Sequence, residues 1–74
     1  MPAFKFSGSK LRAARTGAGL TREQLGESVD HGKSAITLYE LGYRTPPLEV
    51  LVGLADILAV HVEELFEVVD EVPA

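Results

Sequence analysis

The sequence predicts an all-α fold, a compact bundle of about five short helices. Apolar residues recur at helical spacing in several short stretches, glycine or proline punctuates them, and two stretches open on side chains suited to capping a helix. Ser7 is the first such cap, with Phe6 before it and Leu11 four residues on as a hydrophobic staple; the helix it opens carries Lys10, Leu11, Ala14 and Arg15 and stops at Gly17 and Gly19. Thr21 is the second. Gln24 completes its capping box and Leu20 with Leu25 forms the staple, which predicts a helix over Arg22 to Val29.

Asp30-His31-Gly32 is expected to turn, because Asp tolerates the left-handed region and Gly enters it freely. A third helix follows from Lys33 to Leu41, with Ala35, Ile36 and Tyr39 on one face and Gly42 at its end. Thr45-Pro46-Pro47 connects, and Pro47 suits the first turn of a fourth helix that runs to about Ala59. Positions 62, 65, 66 and 69 follow the i, i+3, i+4, i+7 pattern of a fifth helix, although the valines of Phe66 to Val72 suit an extended chain equally well.

Seventy-four residues make one domain, since so short a chain buries only about 60–65% of its unfolded surface. The expected division is an N-terminal arm over 1–8, a helical domain over 9–67 and an acidic tail over 68–74. The absence of cysteine excludes disulfides, thiolate metal sites and thiol nucleophiles, and it favours a cytoplasmic setting. MPAFKFSGSK lacks the apolar core of a signal peptide, and Leu48 to Val60 is too short to span a bilayer, so no membrane association is expected. The net charge of −4 argues against nucleic acid only until it is divided. Residues 1–44 hold all seven basic side chains against four acidic ones, for +3, whereas residues 45–74 hold seven acids and no base.

Two short helices at 22–29 and 33–41 joined by a tight turn form a helix-turn-helix. Leu25 and Val29 give one inner face, Ile36 and Tyr39 the other, and Gly26 lets the backbones approach. With GLTREQLG, SAITLYELG, the proline of the 46–48 region, LVGLADILAV and EELF in order, the stretch from Leu11 to Phe66 resembles the phage repressor and Cro-type family, also called the xenobiotic-response-element type. That resemblance implies a lambda-repressor-like domain and a small sequence-specific transcriptional regulator, a repressor, whose third helix enters the major groove of double-stranded DNA. Carried over by position, Lys33, Ser34, Thr37 and Leu38 would read bases, and Thr21, Arg22, Tyr43, Arg44 and Thr45 would hold phosphates. Arg15 and Glu40 match a structural ion pair of lambdoid repressors that ties the first helix to the third.

This chain departs from the pattern at Leu38 and Leu41, where polar or basic residues are common, at Asp30, which replaces a turn glycine, and at Pro47, which replaces a capping serine. Asp30, Leu38 and Leu41 support an alternative of a different class: an antitoxin or a protein-interaction or coactivator adaptor with weak DNA binding, whose partner docks on the acidic C-terminal segment. Apolar residues on several faces of the fourth helix fit either a buried central helix or, with Val62, Leu65, Phe66 and Val69, a homodimer contact. A homodimer would read a palindromic operator with half-sites about 34–36 Å apart. No catalytic, cofactor or metal constellation is expected. His31 and His61 lie near turns outside any ligand motif, and Glu63-Glu64 and Asp70-Glu71 read as solvated charge.

Overall fold

The helices begin and end where local chemistry places their caps. In the computed structural model, which describes residues 2–70, helix α1 spans Gly8–Gly17 and its N-cap Ser7 accepts a hydrogen bond from the Lys10 N–H at 3.2 Å. Helix α2 spans Arg22–Ser28 behind a complete capping box: the Gln24 N–H donates to Thr21 Oγ1 at 3.0 Å, and the Thr21 N–H donates to Gln24 Oε1 at 2.9 Å. Helix α3 spans Lys33–Leu41 and ends on the left-handed Gly42, φ +82°. Helix α4 spans Leu48–Leu58 with Pro47 as N-cap, one position before the helical turn expected for it.

The turn between α2 and α3 assigns its residues differently from the expectation. Asp30 alone takes the left-handed conformation, φ 60°, while Gly32 is extended and serves as the N-cap of α3. Gly26 lets α2 approach the backbone at the start of α3, as expected: a Cβ there would lie 2.9 Å from the carbonyl carbon of Gly32, the N-cap of α3. A Cβ there would lie 2.4 Å from the His31 carbonyl oxygen, whose own N–H donates back to the Gly26 carbonyl at 2.7 Å. A second close approach has no sequence signal. At Gly8 a Cβ would meet the Glu40 carbonyl oxygen at 2.3 Å, so the start of α1 lies directly on the end of α3.

The expected fifth helix is one 3₁₀ turn, Val62–Leu65, followed by a strand. That strand, β2 (Phe66–Asp70), pairs antiparallel with β1 (Pro2–Phe6), the segment expected as an arm, in the register Pro2↔Asp70 through Phe6↔Phe66. The spacing of 62, 65, 66 and 69 fits a helix, but Leu65 ends the turn and the β-branched Val68 and Val69 continue as strand once β1 supplies the partner. Residues 71–74 of the acidic tail lie outside the described residues.

The core forms where the helices meet. Leu11, Leu25, Ile36, Leu54 and Leu65, one from each helix and one from the 3₁₀ turn, are wholly buried, with Phe6, Tyr39, Val50, Leu51, Ala55 and Leu58 around them. The sheet joins this core at one end through Phe6 and Phe66, whose rings pack edge to face at 6.1 Å. Main-chain and side-chain bonds fix that end: the Ser7 N–H donates to the Leu65 carbonyl at 2.8 Å and Lys10 Nζ to the Phe66 carbonyl at 2.8 Å. Among the described residues, no helix is long and apolar enough to cross a membrane.

Candidate nucleic-acid interface

The orientation of α3 is fixed by a charge cluster at its C-terminal end. Arg15 Nε donates to Glu40 Oε2 at 2.6 Å, Arg15 Nη2 to Oε1 at 3.3 Å, and Arg15 Nη1 to the Leu20 carbonyl at 2.9 Å. Arg22 Nε adds a bond to Oε1 at 3.0 Å. The Glu40 side chain is 1% exposed, so desolvation would make an unpaired carboxylate costly; here it accepts three charged hydrogen bonds. Through this one carboxylate α1 and α2 are tied to α3, and Arg15 also holds the Leu20 linker. Two guanidiniums against one carboxylate leave the cluster positive by one charge.

Arg22, a phosphate candidate by resemblance, is therefore held against Glu40, although 31% of its side chain stays exposed. Lys33 and Ser34 are exposed on the first turn of α3. Thr37 is half-buried, and its hydroxyl donates to the Lys33 carbonyl at 3.0 Å. This leaves the oxygen lone pairs and the methyl as its means of contact. Leu38 is also half-buried, whereas Leu41 is exposed. Thr21 is exposed at the start of α2, and Tyr43, Arg44 and Thr45 are exposed in the loop after α3.

A groove of about 540 Å³ runs between the end of α1 and the starts of α2 and α3, with Arg12, Thr21, Arg22, Glu23 and Lys33 on its walls. Arg12, Lys33 and the singly positive Arg15–Arg22–Glu40 cluster outweigh Glu23 there, so it favours an anion. Arg12 was not singled out by sequence reasoning. Its signal was available, because three residues before Arg15 on a helix lies on the same side.

The residues suggested for a homodimer do not share one face. Leu65 is wholly buried in the core; Val62 and Phe66 pack partly against it; and Val69 points to the opposite side of β2 from Phe66, as strand alternation requires. Among the described residues, no three His, Asp or Glu side chains gather as a metal site would need.

Comparison with known proteins places this geometry in a class. The helix-turn-helix family profile matches residues 11–65, and the chain belongs to that family, the Cro/C1 type, whose members are DNA-binding regulators rather than enzymes. Among solved structures it is similar to the restriction-modification controller protein C.AhdI from Aeromonas hydrophila, with 34% identity and a TM-score of 0.75 over 80% of this chain and 89% of that one. It is similar also to the P22 c2 repressor solved with a synthetic operator, with 26% identity and a TM-score of 0.77 over 82% and 92% of the two chains. The S. venezulae BldD DNA-binding domain gives 35% identity and 0.70 over 81% and 90%. No curated protein matches the sequence significantly.

Proposed function

We propose that this protein is a cytoplasmic, sequence-specific repressor that sets the first turn of α3 into the major groove of double-stranded DNA. The observation that carries the reading is the exposed pair Lys33 and Ser34 beside the cationic groove, on a helix whose direction the buried Glu40 cluster fixes. Lys33 would donate to guanine O6 or N7, with Ser34 and Thr37 against neighbouring base edges and Leu38 on a thymine methyl. Thr21, Arg22, Tyr43, Arg44 and Thr45 would hold the backbone on either side. Arg22 would keep its bond to Glu40 and present its remaining N–H groups to a phosphate. The P22 c2 repressor, similar along most of this chain, was solved on an operator, which supports the same mode here.

One domain with three to five phosphate contacts would show a salt slope of about −3 to −4.5 and bind weakly at physiological salt. A homodimer on a palindrome meets that deficit. Selection from random duplexes at two salt concentrations tests the reading: it expects an enriched palindromic motif and a steep salt dependence, and absence of both at low salt overturns it. Exposed Leu41 with half-buried Leu38 on the same helix favours the second reading, a protein-binding adaptor or antitoxin, which predicts that neither property is found.

A further inference from the structure

We propose that two copies of this chain join through the free edge of β1, forming an antiparallel four-stranded sheet in the order β2-β1-β1-β2 with Phe4 at the two-fold axis. The inference deepens the dimer reading above and rests on it, but locates the contact outside the family fold. Both strands lie outside the family-matched segment 11–65, so that fold does not account for them. Their sheet has two strands, so each offers one unpaired edge, and a two-stranded ribbon alone is marginal in water. Its even-numbered face begins in the core at Phe6 and Phe66 and passes into solvent at Phe4, 74% exposed, and Val68, 61% exposed, which are directly opposite each other with the Pro2–Asp70 pair beyond them.

Charge selects which edge pairs. β2 carries Glu67 and Asp70, and joining two β2 edges would crowd like charges. β1 carries only Lys5, which lies opposite Glu67 in the existing register. Joining a β1 edge to a β2 edge would offset the charges but leave new edges free, giving an open chain of subunits rather than a closed pair. The β1-to-β1 arrangement closes on itself and leaves the acidic strands outermost, where charge discourages further addition.

Register follows from length. Pro2–Phe6 is five residues, and centring on Phe4 is the antiparallel alignment that pairs all five; it sets Lys5 opposite Ala3 rather than Lys5. Val68, Phe4, Phe4 of the second copy and its Val68 then make one apolar row across four strands. The helical bodies fall at opposite ends of the strands. A strand length of about 17 Å between bodies some 20–22 Å across separates their centres by roughly 35–40 Å, close to one turn of DNA.

The chain has no cysteine, so single cysteines report the geometry without background. Phe4→Cys is expected to form a disulfide-linked dimer under mild oxidation, because facing residues in an antiparallel pair have Cα atoms about 4.5–5.5 Å apart, within disulfide range. Val68→Cys, comparably exposed but a strand further from the axis, is expected to remain uncrosslinked. Phe4→Glu should raise the wild-type dimer dissociation constant, read by sedimentation equilibrium, at least about tenfold without altering the circular dichroism spectrum. A wild-type monomer at all soluble concentrations, crosslinking of Val68→Cys but not Phe4→Cys, or equal crosslinking of both rejects the arrangement. A monomer that still enriches an operator rejects only the sheet dimer. A Phe4-linked dimer that enriches none rejects the DNA reading and keeps the dimer.

Discussion

Removing Arg15 should unfold the protein before it changes what the protein recognises. Arg15→Ala deletes two of the three charged bonds to Glu40 and the bond to the Leu20 carbonyl, leaving Arg22 as the carboxylate's remaining partner. Breaking a buried pair by removing one partner costs about 3–5 kcal/mol, and retention of the Arg22 bond lowers the expectation to about 2–3 kcal/mol. A domain of this size loses about 4–8 °C of melting temperature per kcal/mol, so the variant should melt roughly 10–20 °C early. Glu40→Ala strands two arginines, one of them 11% exposed, and should cost at least as much. Arg22→Ala, at a partly solvated site, should cost about 1 kcal/mol or less. Thermal and urea melts followed by circular dichroism read the order. An Arg15→Ala protein that melts like wild type yet fails to bind DNA would refute the structural role, as would Arg22→Ala being the most damaging of the three.

Three further expectations come from single positions. Ala59 closes α4 with φ 57°, a left-handed conformation unfavourable for any residue with a Cβ, so Ala59→Gly should stabilise by about 0.5–1 kcal/mol in urea melts. Gly26→Ala should destabilise by about 1–3 kcal/mol because its Cβ would meet turn backbone, whereas Gly17→Ala, with nothing within 4 Å, should be neutral or stabilising; equal effects would refute the close approach. Arg12→Ala should weaken binding to all duplex sequences alike and reduce the salt slope by about 0.9 without changing the melting temperature, and a change in sequence preference would refute its assignment to the backbone groove.

The parts of the fold legible in the sequence are those decided within four or five residues. Ser7 with Lys10, Thr21 with Gln24 and the left-handed Gly42 each satisfy or terminate their own helix, so residue types announce the boundaries. The fifth element stays open between helix and extended chain in the sequence because a strand needs a partner, and the partner of Phe66–Asp70 is at the other end of the chain. Locally, the spacing from Val62 to Val69 suits a helix and the valines from Phe66 on suit an extended chain. The exposed first turn of α3 was legible from helix phase. The attachment of Arg22 to Glu40 was not, because it spans 18 residues and depends on how α2 packs on α3. The same holds for Gly8 under the Glu40 carbonyl, a contact made only when α1 meets α3.

Pairing Pro2 with Asp70 also makes the backbone close to a ring. Helices and their tight turns can form from neighbours in sequence, but this seam must bring together residues nearly the whole chain apart, which is the slowest kind of contact to find and the one with most chain entropy to overcome. The two strands should zip last in folding and fray first from Pro2 and Asp70 inward. A linker joining Pro2 to Asp70, with a new opening in an exposed turn such as 43–45, should leave the helix order undisturbed, since the fold already holds those two residues side by side.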